Sequence, residues 1–507
     1  MRGQLGRHPV EQRVLFPPEL RDLQGQGIPV PGQRVRMPAG IPRLGIGQRR
    51  LGHQRPQAGV LSLLLEERQL LLGDAQLHPQ ALEPFADVHQ VALEDGPGHE
   101  DGQSSETHRL WHRVTVTHHP IFTDEHDELR QSVRRFVDHE IRPHVDKWED
   151  AEWFPDDVFR RAGELGFLGL HYPEQWGGSG GDLAAEIVFV EELAKSGCGA
   201  IAMALSVQTD MATPSIERFG TDDQKERYLR PAIAGTKIAA IAITEPDAGS
   251  DVAAITTRGV RDGDVWRING RKLYITNGER ADFLTLVVKT DPAAGHAGIS
   301  LFLVDTDLPG VNVSRKLRKL GMCSSDTAEI ALDDVPVPHA DLIGLEPGQG
   351  FAQLMVQLQY ERLAGAAASI GTADYALART IEYANQRRAF GRPIGRHQVI
   401  AHMIADAATE LEAARALLYS TAWRVMQGDY PVAEISMTKK YCAQMLNRLV
   451  DTCLQIHGGA GYMHEEPISR AFRDARLQRI GAGTDEIMNE VIAKRLLAGY
   501  GSDQGEQ

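Results

Sequence analysis

Residues Lys237 to Thr276 read KIAAIAITEPDAGSDVAAITTRGVRDGDVWRINGRKLYIT. Apolar residues here alternate with polar ones or run in short blocks, and turn residues separate them. That is the pattern of β-strands. Further runs of the same kind follow: DFLTLVVKT, GISLFLVDT and TAEIALDDVPV. Asn-Gly and Asp-Gly dipeptides punctuate the region. The β texture occupies residues 236–346.

On both sides the texture is helical. Upstream, over residues 121–235, FTDEHDELRQSVRRFVDHEIRPHVDKWE starts with a capping Thr123 and acids in its first turn. PDDVFRRAGELGFLG, DLAAEIVFVEELAKS and TDDQKERYLRPAIAG continue the helical pattern. Downstream, over residues 347–498, long periodic runs have few breakers. The order helical, all-β, helical predicts an α+β fold of three segments.

Residues 1–113 differ from all of this. They contain no lysine, although lysines recur from Lys147 onward, and Pro and Gly interrupt nearly every candidate helix. Neither a signal peptide nor a transit peptide fits. Two readings remain: a disordered extension, or a start codon assigned too far upstream, with the true start near Val114 or Val116. The second is adopted as the expectation, and the segment is given no function.

The formal net charge of −15 argues against nucleic-acid binding, which needs clustered Lys and Arg. No apolar run reaches the ~20 residues that span a bilayer. Cys198, Cys323, Cys442 and Cys453 form no CxxC pair and no zinc spacing. They read as reduced thiols, and no metal is expected.

Several short segments suggest chemistry. AITEPDAGSD (242–251) follows a β run and ends in small polar residues, which let a backbone approach a ring or phosphate. KLYITNG (272–278) puts Tyr274 and Thr276 on one strand face if the alternation is regular. GGSGGD (177–182) and the glycines of QIHGGAGYM lack the context of a phosphate loop. Taken alone, each segment reads better as an ordinary loop or strand end.

Together they are more specific. AITEPDAGSDVAA resembles the first signature of acyl-CoA dehydrogenases, and QIHGGAGYMHEEPISRAFRD resembles the second. KLYITNG and NQRRAFGRPIGRHQ lie between them in the family's order. The resemblance covers residues 121–497. It implies an N-terminal helical domain, a central β domain and a C-terminal four-helix-bundle domain. It also implies FAD and a homotetramer built as a dimer of dimers.

The resemblance implies site residues too. Ile243, Thr244, Gly249 and Ser250 would lie along the flavin, with Ser250 also near coenzyme A. Tyr274, Ile275 and Thr276 would face the ring; the family often has Trp at the Tyr274 position. Arg387, Phe390 and Gln398 would contact FAD held mainly by a neighbouring subunit. Gln455, Ile456, His457, Gly458 and Gly459 would do so at the adenine end. Thr484, Asp485 and Glu486 would close over the diphosphate and ribose. Tyr360, Arg362, Ala482 and Gly483 would contact the acyl-CoA.

Dehydrogenation at Cα–Cβ needs a base for the α-proton and donors for the developing enolate oxygen. Many family members carry the base as Glu in the last signature, but in QRIGAGTDEI (478–487) that position is Ala482. Its N–H can still serve as a donor. A replacement base lies in FAQLMVQLQYERLAG (351–365). Phe351, Leu354, Met355 and Leu358 define an apolar helical face, with Glu361 at its edge and Arg362 near its centre. Periodicity alone favours a structural Glu–Arg pair, buried or at the rim. The long-chain and isovaleryl-CoA dehydrogenases, however, supply their base from this helix in a similar setting, so the resemblance assigns Glu361.

The function implied is oxidation of medium- to long-chain or branched acyl-CoA to the enoyl-CoA. This is a step of fatty acid β-oxidation, with electrons passed to an electron-transferring flavoprotein. An acyl-CoA oxidase and a non-catalytic FAD-binding homologue are the alternatives. The expected location is the bacterial cytoplasm rather than a mitochondrial matrix.

Overall fold

The computed structural model describes residues 119–498; the segment 1–113 lies outside them. The first helix, α1 (Asp124–Phe136), starts at Thr123. The expected cap is present, but its partner is His126. The His126 Nδ1 lies 2.9 Å from the Thr123 hydroxyl and 3.0 Å from its N–H. Helix α2 (Leu183–Ala194) is capped by Asp182, which accepts from the Ala185 N–H at 3.0 Å. Helix α3 (Gly199–Ser206) runs on through a π-helical turn, Val207–Ala212. Such turns often mark functional sites.

Strands β1 (Ala239–Ala242), β2 (Arg258–Asp262), β3 (Val265–Thr276), β4 (Phe283–Lys289), β5 (Ile299–Asp305), β6 (Val311–Lys316) and β7 (Thr327–Pro338) form one seven-stranded sheet. Its order is β1-β4-β2-β3-β7-β6, with β5 paired to β4. Gly263, at φ +63°, makes the Asp-Gly turn between β2 and β3. The two Asn-Gly pairs behave differently. Asn269-Gly270 lies inside β3 at a register shift. Asn277 is buried and donates its side-chain amide to the Ala204 and Ala239 carbonyls. It therefore joins the sheet to α3 and is not an exposed hairpin tip.

The C-terminal helices are α4 (Gly350–Gln386), α5 (Gln398–Met426), α6 (Val432–His457), α7 (Pro467–Ala475) and α8 (Asp485–Leu497). A two-stranded ribbon, β8 (Arg388–Ala389) and β9 (Arg392–Pro393), separates α4 from α5. The helices before and after the sheet share one core: Phe189 and Leu193 of α2 pack in the same cluster as Ile370 and Leu377 of α4. At this crossing Gly371 meets the α2 backbone. A Cβ there would lie 2.2 Å from the Glu191 carbonyl oxygen, so only glycine fits.

Helix α4 runs 37 residues, or ~55 Å at 1.5 Å per residue. Its first turns pack on the sheet side: Leu354, with the partly buried Phe351, Met355 and Leu358, joins Phe283 and Leu301. The predicted apolar face is therefore real. The helix is nevertheless enclosed on other sides as well, with Gln353, Gln357 and Gln359 also buried.

Candidate active site

Glu361 and Arg362 are both buried, 8% and 6% exposed. They form no hydrogen bond or ion pair with each other. Arg362 instead donates its Nε to the Ala482 carbonyl at 3.2 Å and its Nη1 to Gln359 at 3.4 Å. Glu361 accepts no hydrogen bond among the described residues. Burial raises its carboxyl to about 7, Arg362 opposes the rise, Asp210 adds to it, and Lys439 opposes it. A free carboxylate titrating near neutrality suits proton abstraction.

The loop that faces this helix is bent at two residues. Ala482 has φ +56° and Gly483 has φ +97°. At Gly483 a Cβ would also strike Met488 Cε at 2.7 Å. Lys439 of α6 holds the bend by donating to the Gly483 carbonyl at 2.5 Å. The Ala482 N–H has no partner among the described residues. An unpaired N–H on a loop clamped at both carbonyls is a preorganised donor. Thr484 caps α8 through the Ile487 N–H at 3.3 Å. Asp485 is buried and accepts from Arg479 and Gln444, whereas Glu486 is exposed.

The sheet contributes a second group. Lys272 is fully buried and spans to Glu245 Oε1 at 2.9 Å and to the Ile243 carbonyl at 3.0 Å. Glu245 also accepts from the N–H groups of Thr256 and Thr257. Leu273 N–H reaches the Thr244 carbonyl at 2.8 Å. These bonds tie the loop 243–250 to β3. The regular alternation expected for Tyr274 and Thr276 is interrupted: register shifts between Lys272 and Ile275, and Tyr274 adopts φ +63°. The bulge leaves Ile275 buried and turns the Tyr274 ring outward, 66% exposed. Gly249 and Ser250 are exposed, with open space around Gly249. A flat heterocycle fits against this surface.

The remaining predicted residues lie at the other end of α4. Arg387 and Gln398 are exposed, and Phe390, at φ +51°, is 95% exposed on the β8–β9 ribbon. Gln455, Gly458 and Gly459 are exposed at the end of α6, and open space surrounds both glycines. Ile456 and His457 are buried; His457 stacks on Tyr383 and shares a 2.8 Å bond with the Cys453 carbonyl. Arg387 lies 26 positions beyond Glu361, ~39 Å along the helix. The structure thus brings Glu361, Arg362, Ala482 and Gly483 together and holds the Phe390 group far from them. Eight described non-glycine residues have positive φ, and Tyr274, Phe390 and Ala482 are among them. Such conformations cost about 1–3 kcal/mol and collect at functional sites.

The family model for the acyl-CoA dehydrogenase N-terminal domain matches residues 123–236. That for the middle domain matches 240–335, and that for the C-terminal domain 348–497. The chain belongs to the acyl-CoA dehydrogenase family. It is 39% identical over 380 residues to the mitochondrial long-chain specific acyl-CoA dehydrogenase of Mus musculus, covering 75% of this chain and 88% of that protein. It is 36% identical over 377 residues to the 3-(aryl)acrylate reductase of Clostridium sporogenes, covering 74% and 100%. The crystal structure of an acyl-CoA dehydrogenase from Geobacillus kaustophilus matches with a TM-score of 0.72 and 39% identity, covering 74% of this chain and 98% of that one.

Within this acyl-CoA dehydrogenase fold, two structural features were not found by sequence reasoning. Lys439 sits on the buried side of α6, in line with Ile435 and Cys442; a lysine on an apolar stripe was the available signal. The Lys272–Glu245 pair joins two segments, and only the strand pairing reveals it. No helix among the described residues is long and apolar enough to cross a membrane. All four cysteines are free thiols.

Proposed function

We propose that this oxidoreductase converts medium- to long-chain or branched acyl-CoA thioesters to trans-2-enoyl-CoA and passes the electrons to an electron-transferring flavoprotein. One observation carries the reading. Glu361 is a buried, unbonded carboxylate near neutrality, and the helix that bears it is bound through Arg362 to the loop whose Ala482 N–H is free.

The cofactor is FAD, which when bound supplies a hydride acceptor for the substrate's β-hydrogen. Glu361 takes the α-proton. The Ala482 N–H donates to the thioester oxygen as negative charge develops on it, so it acts most strongly in the transition state. Arg362 holds that loop in position, and Lys439 holds it from the other side. The acyl chain enters beside α4 beyond Glu361, where Ala364, Gly365 and Ala368 line a small cavity of about 30 Å³ opposite Met203 and Met211, which must move aside to admit it. Methionines adapt to chains of different shape.

Phe390 and the open Gly458–Gly459 turn serve a second copy of the chain. Their distance from Glu361 and the exposure of Phe390 support a site completed across a dimer, within a tetramer. A cytoplasmic location accords with this reading. Anaerobic bleaching of the flavin by acyl-CoAs of graded length and branching tests the activity. Stoichiometric peroxide in air would instead identify an acyl-CoA oxidase. No bleaching by any member of the panel would identify a non-catalytic flavoprotein.

A further inference from the structure

Three titratable groups, of which only Asp210 has entered above and only through its charge, share one cavity. It measures about 230 Å³ and is lined by His171, Glu186, Asp210, Ser215, Gln357 and Tyr360, among others. Glu186 is 5% exposed and Asp210 1%. The His171 Nδ1 lies 3.4 Å from Glu186 Oε2, and ligand atoms of the three residues all fall within 4.8 Å of one another. Neither carboxylate oxygen of Asp210 has a partner at hydrogen-bond distance. The His171 side chain is 24% exposed and opens toward the surface.

The cluster reaches the proposed base through the π-helical turn after α3. Asp210 lies in that turn, and the next residue, Met211, accepts a hydrogen bond from Gln357 of α4. Glu361 stands one helical turn beyond Gln357, ~6 Å along the axis. The charge of Asp210 is felt at Glu361. The charged groups that act on Glu361 are Arg362 on its own helix, Asp210 on the π-helical turn and Lys439 on α6. Asp210 in turn faces Glu186, Thr209 and Ser206.

Two acids buried this close cannot both be ionised, so between them they hold a proton. Burial lifts Glu186 far above the usual carboxylate range and Asp210 to about 6. Burial also lowers His171 to about 4, which keeps its ring neutral and able to accept. A reaction that leaves a proton on buried Glu361 at every turnover needs an exit for it.

We propose that Asp210, Glu186 and His171 form a relay that carries the proton taken up by Glu361 across this cavity to solvent. Each transfer breaks one O–H bond and forms another: Glu361 gives its proton to Asp210, while Glu186 releases its own to cavity water that donates a hydrogen bond to the neutral His171 ring. The Asp210 proton then refills Glu186. Glu361 ends ionised, Asp210 and Glu186 regain their shared proton, and one proton leaves. No electron moves.

The inference rests on Glu361 as the base, and the test separates the two. The holoenzyme is incubated in D2O with an acyl-CoA whose β-carbon is replaced by a thioether sulphur. That substrate can lose its α-proton but yields no hydride. Deuterium entering Cα is read by mass spectrometry, and single-turnover flavin reduction by the ordinary acyl-CoA is read in parallel. In Asp210→Asn and Glu186→Gln, exchange should fall about tenfold or more while reduction stays within about threefold, because protons return to Cα before they escape. In His171→Ala, exchange should fall and recover with added imidazole. Unchanged exchange in both carboxylate variants would overturn the relay, and so would exchange and reduction falling by the same factor. Normal reduction in Glu361→Gln would instead overturn the base. If one carboxylate variant fails to retain FAD, the other and the imidazole response decide.

Discussion

The Arg362 guanidinium donates to the Ala482 carbonyl at 3.2 Å, so the residue after the proposed base grips the loop that carries the proposed oxyanion donor. The same cation is the main charge holding down the Glu361 carboxyl. Arg362→Ala removes both effects. Glu361 then rises above about 7, and a base must be ionised to act. The pH at which flavin reduction reaches half its maximum should therefore move to higher pH, and the plateau rate should fall. A pH profile of anaerobic reduction measures both. An unmoved profile would contradict the electrostatic link.

Glu361 also ties stability to pH. Its carboxyl is raised by burial from 4.5 to about 7, so the folded state holds its proton more tightly than the unfolded chain. Its favourable contribution is fully present below about 4.5 and is lost as pH rises through 7. Glu361→Gln, which never ionises, should gain stability relative to the parent between pH 5 and pH 8. The gain is of order 3 kcal/mol. Denaturant unfolding of the two proteins at both pH values checks the sign.

Lys272 and Glu245 hold the loop 243–250 against β3 from inside the sheet. Burial lowers Lys272 to about 8, while its partner and the neighbouring N–H groups lower Glu245 to about 2. Lys272→Met leaves a buried carboxylate without its cation and should cost about 3–5 kcal/mol. The loop it supports should bind FAD more weakly. Unfolding by denaturant and FAD retention on gel filtration report the two effects. Tight FAD binding in a strongly destabilised variant would show that the pair serves the fold alone.

Much of this architecture was legible in the chain. The change from period 3.6 to alternation near Lys237 marks where the sheet begins, and Thr123 caps the first helix, where a polar residue precedes a periodic run. The burial of Glu361 and Arg362 followed from their place on the stripe of Leu354 and Leu358. Periodicity could not reveal the bulge at Tyr274, because a single residue at φ +63° changes a strand's facing without changing its composition. Nor could it reveal His171, Glu186 and Asp210. They come from three separate segments, and only tertiary packing closes them around one cavity.

Phe390 is 95% exposed and lies on a two-stranded ribbon at the end of α4 distant from Glu361. In the proposed dimer a partner copy would cover this exposed ring. Phe390→Asp should weaken assembly and FAD retention together while leaving the circular-dichroism spectrum unchanged. Sedimentation velocity and flavin absorbance measure the two. A variant that kept its assembly state and its flavin would contradict the shared site.

In the proposed mechanism Glu361 takes the α-proton in place of the glutamate absent at Ala482. Its most direct test is anaerobic stopped-flow reduction of the holoenzyme by the acyl-CoA that best bleaches it, compared between the parent protein and Glu361→Gln. The variant should keep FAD and bind acyl-CoA but reduce its flavin slower by about 10²–10⁴-fold. Reduction at the parent rate would contradict it and send the search for the base elsewhere in the chain.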